Sequence, residues 1–355
     1  MITREKIAAA IVQPNSSMLD AVKAIDQGGI QAVLVASEYG ALMGVATDGD
    51  VRRGILQGLT LQSPVSEVMN RQPAALRHPA SREQAVALMN RKLIRQVPVL
   101  DGEGMILGAY HIDIPQQVEV TRGETWAVIM AGGRGTRLHP LTRDTPKPML
   151  PIGGQPLSET IIRILIAQGC GRIYLAVNYM AEAFKQHFGD GSHFGAEIRY
   201  LEEDTPLGTA GALGLLKETP RTPILVMNGD LLTSVNIANL LAYHAEHGAK
   251  ATMCVRDYST QIPYGVIDME AGLVRAIVEK PVKTYFVNAG IYVLDPSLLV
   301  RVAPGKHLDM TELLESVIAE GGAVSAFPIH EYWLDIGKLD DLERAQSEFH
   351  GVFNT

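Results

Sequence analysis

The chain has 355 residues, a formal net charge of −8, 46% hydrophobic residues and 20% charged residues. This length suggests two folded units, and the composition is that of a protein with a sizeable core. The acidic balance argues against a general nucleic-acid binder, so any cationic site for phosphates must be local.

The first residues, MITREKIAAAIVQPNSS, show no signal-peptide pattern, and no stretch approaches the about 20 apolar residues of a membrane helix. Cys170 and Cys254 are too few for a disulfide framework or a zinc site, which suits a reducing compartment. A cytoplasmic protein with no membrane or nucleic-acid partner is expected.

Residues 1–118 contain a repeat. Ser17-Met18-Leu19-Asp20-Ala21-Val22 opens a helical stretch, QAVLVA (31–36) reads as a strand, and Gly44-Val45-Ala46-Thr47-Asp48-Gly49-Asp50 follows. Ser81-Arg82-Glu83-Gln84-Ala85-Val86, QVPVLD (96–101) and Gly108-Ala109-Tyr110-His111-Ile112-Asp113-Ile114 repeat the series; Ser17 to Ser81 and Gly44 to Gly108 share an offset of 64. Two copies predict paired modules with a common core, not a solenoid. The pair resembles a tandem CBS module, which implies an adenine nucleotide effector with Thr47 on its phosphate and Asp50 on its ribose. His111 and Ile114 replace those two residues in the second repeat, so at most one half-site matches. A module that only dimerises or stiffens the protein is the other reading.

The segment 114–124, with Pro115, Gln116, Gln117, Arg122 and Gly123, reads as a linker. Beyond it strands and helices alternate: strand 125–130, helix 157–169, strand 172–177, helix 180–189, strand 197–202, helix 208–218 and strand 224–230. This alternation predicts βαβ units and a mostly parallel sheet, whose ligands sit beyond the carboxyl ends of the strands. The motifs lie at those ends. Trp126-Ala127-Val128-Ile129-Met130 is a buried strand running into Ala131-Gly132-Gly133-Arg134-Gly135-Thr136-Arg137, where backbone N–H groups can gather around a phosphate. Arg137, and Lys147 in Pro146-Lys147-Pro148, add cations. Asp230 ends the strand of Ile224-Leu225-Val226-Met227-Asn228-Gly229-Asp230, and Asp335 lies in Trp333-Leu334-Asp335-Ile336-Gly337.

The stretch AGGRGTRLHPLTRDTPKPMLPIGGQPL (131–157) resembles the signature of the sugar-1-phosphate nucleotidylyltransferases. It lacks the Walker A order and the acidic residue of a dinucleotide site. The expected fold is therefore α/β, with a Rossmann-like, mostly parallel-sheet nucleotidyltransferase domain (119–355) preceded by a small α/β CBS module (1–118, repeats about 1–60 and 61–118).

The resemblance implies transfer of a nucleoside monophosphate from an NTP to a sugar-1-phosphate, with release of pyrophosphate. Ala131, Gly132, Gly133, Gly135 and Thr136 are then nucleotide-binding, Arg137, Lys147 and Lys280 catalytic, and Asp230 and Asp335 the ligands of Mg²⁺. Gly265, Glu279, Lys280 and Asn288 are implied for the sugar phosphate, and Glu203, Gly208 and Thr209 for the base-contacting loop. In relatives that use thymidine or uridine triphosphates a Gln commonly stands five before the equivalent of Gly208; here it is Glu203, whose carboxylate suits the two donors of guanine. GTP is favoured, with Glu202 as an alternative reader and with Asn-Gly-Asp and Glu-Lys, taken alone, readable as an ordinary turn and a solvated pair. The combined architecture implies a homo-oligomeric guanylyltransferase supplying bacterial surface glycans or nonulosonic acids. A cytidylyl-, uridylyl- or thymidylyltransferase and a non-catalytic nucleotide sensor are the rivals. His244 and His247 at helical spacing lack a third ligand, and His187, His193 and His330 have no partner identifiable from sequence.

Overall fold

Each repeat of the N-terminal half begins with a capped helix. In the computed structural model, Ser17 accepts the Asp20 N–H while Asp20 accepts the Ser17 N–H, starting the helix Met18–Gln27. Ser81 and Gln84 exchange the same two bonds ahead of the helix Arg82–Lys92. Antiparallel strand pairs follow, Val33–Ala36 with Leu42–Ala46 and Gln96–Leu100 with Ile106–His111. The first strand, Ile2–Thr3, pairs with Ile106–His111 of the other repeat, and Ile7, Leu34, Ile106 and Ala109 share one buried cluster. The repeats therefore form one unit, Met1–Val118, separate from Glu119–Thr355. The structure describes residues 1–92, 94–111, 125–133, 135–178 and 180–353, so the linker read at 114–124, the boundary at 118/119, Ile114 and Arg134 lie outside the described residues.

The second unit contains the strands β1 (Thr125–Met130), β2 (Cys170–Val177), β3 (Glu197–Glu202), β4 (Ile224–Asn228), β5 (Leu231–Thr233), β6 (Ala251–Gln261), β7 (Val266–Glu270), β8 (Leu273–Val278), β9 (Val282–Leu294), β10 (Val324–Pro328) and β11 (Trp333–Asp335). Seven of them make one sheet in the order β3-β2-β1-β4-β9-β6-β10. All its neighbouring pairs are parallel except those made by β9, which runs against both β4 and β6. Side chains along β1 alternate between two buried clusters: Ala127 and Ile129 join one, Trp126 and Val128 the other. A strand buried on both faces must be apolar throughout, which is why β1 carries no polar residue after Thr125.

The helices α1 (Leu157–Ala167), α2 (Ala181–Phe188), α3 (Ile237–His247) and α5 (Leu339–Phe353) contribute to the first cluster, and α4 (Met310–Ala319) to the second. The helix expected over 208–218 is shorter: one α-turn, Gly208–Gly211, then a 3₁₀ segment, Ala212–Leu215. A Cβ on Gly211 would lie 2.6 Å from the Lys306 carbonyl, and one on Gly214 2.9 Å from that of Val302. This close approach, possible only at glycine, seats the segment on the chain before α4 in place of extending it.

α5 closes the side of the unit that carries the Lys147 loop. Gln346 donates to the Pro151 carbonyl (2.7 Å), and the Phe349 ring occupies the place a Cβ would take on Gly153, where φ is +62°. Phe349→Ala is expected to cost about 3–5 kcal/mol, read as a lower urea midpoint for the second unit, while Phe349→Leu keeps most of that stability.

Candidate active site

Parallel pairing sets the carboxyl ends of β1, β2, β3 and β4 along one edge of the sheet. The chain leaves β1 with the Ala131 N–H bonded to the Ala176 carbonyl and leaves β4 with the Gly229 N–H bonded to the Met130 carbonyl, both at 2.8 Å. A Cβ on Gly229 would lie 2.8 Å from that same carbonyl, so the turn that delivers Asp230 requires glycine. Gly135 has φ +60°, and a Cβ there would lie 2.8 Å from the Lys147 Cβ. The turn is thus pressed against Lys147, whose Nζ donates to Asp230 Oδ2 at 2.5 Å with the lysine almost fully buried.

Asp335 is brought to the same place by the ribbon β5–β11, in which Leu231 stands opposite Asp335. The Ile336 N–H donates to the Asp230 carbonyl at 3.0 Å, so the two aspartates are tied through the backbone. Asp335 is exposed. Desolvation first, then the charge of Asp230, raises its carboxyl above the ordinary range, with Asp341 adding to the rise and Lys147 and Arg137 opposing it. Arg137 Nη1 lies 3.7 Å, and Asp335 Oδ1 4.0 Å, from where a Gly337 Cβ would sit. Lys147, Asp230, Asp335 and Arg137, far apart in sequence, therefore form one group. Among the described residues there is no cluster of three or more His, Cys, Asp or Glu arranged for a metal. Two carboxylates brought to one place suit a hard cation that takes its remaining ligands from phosphate and water.

Glu203 lies on the other side of the turn. Its Oε1 is 3.0 Å from where a Gly132 Cβ would be, and its Oε2 accepts the Leu207 N–H at 2.8 Å. Burial raises its carboxyl, and the Leu207 bond opposes the rise. Glu202 points elsewhere: it is exposed and pairs with Lys185 at 2.8 Å. The structure separates the two candidates, with Glu203 facing the glycine turn.

Other expected residues occupy different surroundings. Gly208 (φ +79°) is packed on the Leu308 carbonyl, and the Thr209 hydroxyl bonds Asp309 Oδ1 (3.2 Å) and the Met310 N–H (2.8 Å), so Thr209 is engaged at the start of α4. Gly265, Glu279 and Lys280 sit together on a projecting pair of ribbons, where a Gly265 Cβ would lie 2.9 Å from Glu279 Oε2 and Lys280 has φ +46°. Asn288 uses both ends of its amide, donating to the Tyr292 hydroxyl (2.7 Å) and accepting the Gly290 N–H (2.9 Å). In the first unit Thr47 and Asp50 form a capping box on the helix Asp48–Leu56, with Asp50 also bonded to Arg53. The histidines have partners within the fold: His244 bonds Thr252, His247 the Tyr243 carbonyl, and His187 Glu159.

The nucleotidyl transferase family model matches residues 126–351. The chain belongs to the nucleotidyl transferase family. The CBS domain model matches residues 3–57 and 65–113. A mannose-1-phosphate guanyltransferase of Schizosaccharomyces pombe is 34% identical over 61% of this chain and 61% of its own length. A mannose-1-phosphate guanylyltransferase of Mycobacterium tuberculosis is 32% identical over 62% and 64% respectively. The chain thus spans about three fifths of the length of these curated relatives. The crystal structure of HddC from Yersinia pseudotuberculosis complexed with GMP-PN is 26% identical, with a TM-score of 0.50, covering 63% of this chain and 99% of that one. Among the described residues no helix is long and apolar enough to cross a membrane.

Two residues of the site were not read from the sequence. Asp341 Oδ2 accepts the N–H groups of Gly337 (3.1 Å) and Lys338 (3.0 Å), fixing the loop after Asp335 at the start of α5; an acid three residues beyond Lys338 is a capping signal that could have been found. Asn178, which donates to the Glu203 carbonyl at 2.5 Å, carried no such signal. Asp230→Asn removes one negative charge beside Asp335 and releases Lys147 from its partner. Both changes favour the ionised form, so the Asp335 carboxyl is expected to titrate at lower pH in the variant, as followed by carbon-13 carboxyl NMR.

Proposed function

We propose that this enzyme transfers GMP from GTP to a sugar-1-phosphate, giving a GDP-sugar and pyrophosphate. The observation that carries this reading is the joining of Lys147, Asp230, Asp335 and Arg137 beside a glycine turn at the carboxyl edge of the sheet. Two anions must meet in the reaction, so neutralising and aligning them is the main task of the protein. An oxygen of the sugar phosphate attacks the α-phosphorus in line, and the bond to the β-phosphate oxygen breaks. No general base is required, since the attacking phosphate is already ionised at neutral pH.

Ala131, Gly132, Gly133, Gly135 and Thr136 hold the triphosphate through their backbone, Lys147 and Lys280 hold the attacking phosphate, with Lys147 also reaching the α-phosphate, and Arg137 steadies the departing pyrophosphate. Asp230 and Asp335 hold Mg²⁺, which supplies charge neutralisation at the reacting phosphates when bound. Lys280 meets the sugar phosphate and Glu279, Gly265 and Asn288 meet the sugar. Glu203, facing Gly132, accepts from the donors of guanine; the guanylyltransferase names of the relatives support this base, and their sugar supports a mannose-type substrate. In a cytoplasmic setting the product serves surface-glycan or nonulosonic acid assembly.

Pyrophosphate release with Mg²⁺, five triphosphates and a panel including mannose-1-phosphate tests the reading: GTP is expected to react, Glu203→Gln to reduce the preference for GTP over UTP, and Asp230→Asn to lower kcat by ~10²-fold or more. Silence across the panel, or unchanged kcat in Asp230→Asn, would overturn it. An adenine nucleotide near Thr47 and Asp50 would regulate this activity. Calorimetry with ATP, ADP and AMP is expected to give heat with at least one of them, and no heat with any leaves the CBS pair an element of assembly.

A further inference from the structure

Asn228 is the last residue of β4, one step before the glycine that delivers Asp230. Side chains alternate along this strand: Met227 joins the first buried cluster and Val226 the second, so Asn228 lies on the Val226 face. Tyr292 of β9 belongs to that same second cluster. The pairing of β4 with β9 ends at Met227 opposite Ile291, and the next residues in that register are Asn228 and Gly290. There β9 leaves its regular course. Met253 of β6 stands opposite Tyr292 and Val255 opposite Asn288, so the single residue Cys254 faces three, Ala289, Gly290 and Ile291. A bulge of this kind re-aims side chains and is common beside binding sites.

The bulge is held from both sides. Asn288 accepts the Gly290 N–H (2.9 Å) and donates to the Tyr292 hydroxyl (2.7 Å), and the Trp333 indole N–H donates to the Ala289 carbonyl (2.9 Å). Gly290 has φ +70°, and a Cβ there would lie 2.7 Å from Asn228 Nδ2. Glycine thus supplies both the backbone conformation and the room for the Asn228 amide. Asn288 commits its amide to the fold. Asn228 does not: among the described residues its side chain has no hydrogen-bond partner, although it is half-buried. Such an amide costs stability, which a bound group that both donates and accepts would offset.

The surroundings say which group that is. Phosphate oxygens are met by charge, from Lys147 and Arg137, and the base by Glu203 on the other side of the glycine turn. A neutral amide, with donors and an acceptor, suits a hydroxyl, which has the same two capacities. Asp230, two residues on, belongs to the group at the reacting phosphates. The sugar hydroxyl nearest to those phosphates is the one on the carbon beside the phosphate-bearing carbon.

We propose that Asn228 binds this C2 hydroxyl and selects its configuration. The inference rests on the sugar-phosphate transfer proposed above. Its test compares mannose-1-phosphate with 2-deoxyglucose-1-phosphate, which is the same sugar without the C2 hydroxyl, and with 4-deoxymannose-1-phosphate. In the unmodified protein loss of the C2 hydroxyl is expected to lower kcat/KM by ~10-fold or more. In Asn228→Ala mannose-1-phosphate and its 2-deoxy analogue are expected to react nearly alike, while the 4-deoxy analogue keeps the penalty it has in the unmodified protein; a crossed comparison of this kind cancels general effects of the substitution. A 2-deoxy penalty that persists in Asn228→Ala, or a 4-deoxy penalty that falls with it, overturns the inference and leaves the transfer standing. No reaction of the unmodified protein with mannose-1-phosphate overturns the mannose-type reading and this inference together. The Asn228 side-chain amide signals in nitrogen-15 NMR of the unmodified protein need no variant to fold. They are expected to shift on adding mannose-1-phosphate, and less on adding 2-deoxyglucose-1-phosphate. Equal shifts with the two sugars, or none with either, reject the contact.

Discussion

Strands β1 and β4 lie side by side and parallel, and the Gly229 N–H closes their carboxyl ends onto the Met130 carbonyl. That bond fixes how far the glycine turn after β1 stands from Asp230 after β4. Lys147 reaches Asp230 only because Gly135, with no Cβ, lets the turn lie against it. The second aspartate is not on the main sheet. It arrives on the ribbon β5–β11, which begins one residue after Asp230, so the same turn that sets the first carboxylate sets the second. The buried, apolar character of β1 underlies all of this, because a strand covered on both faces holds its register with little freedom.

Electrostatics in the site is local. The chain is acidic overall, yet the edge of the sheet groups Lys147 and Arg137 with Asp230 and Asp335. Desolvation first, and then the crowding of Asp230, raises the carboxyl of Asp335, and the two cations limit that rise. The Mg²⁺ and phosphate oxygens proposed for this group would together satisfy both signs of charge. Asp341 and α5 hold the Asp335 loop from behind, and Phe349 on the same helix packs on Gly153, beyond Lys147. One helix thus braces loops that come from opposite ends of the second unit.

The two halves of β6 and β9 show how one strand can serve different ends. The roots pack between layers and carry small or apolar residues, such as Cys254 and Ala289. The outer halves leave the layers and keep apolar side chains without a core to bury them in. An antiparallel ribbon can extend this way because its backbone bonds are satisfied by its own partner strand. The residues expected to meet the sugar phosphate, Gly265, Glu279 and Lys280, ride on this arm, at a remove from the rigid cluster around Asp230.

Much of this was legible in the sequence because it depends on local patterns. The apolar run 126–130, the glycine turn behind it, the capping serines at 17 and 81 and the alternation of strands and helices are periodic or short-range signals, and the sheet formed as they predicted. The pairing of Ile2–Thr3 with the opposite repeat, the antiparallel course of β9 and the shortened helix after Gly208 were not legible, since each is decided by contacts between distant residues. The sequence alone determined the family signature and the types of side chain available for the chemistry. Only the tertiary structure decided that Glu203 faces the turn while Glu202 pairs with Lys185, that Thr209 is engaged with α4, and that Asp341 supports Asp335. Alternation along a strand sends neighbouring residues to opposite faces, but which face meets the site depends on what packs there, and that is set by the whole fold.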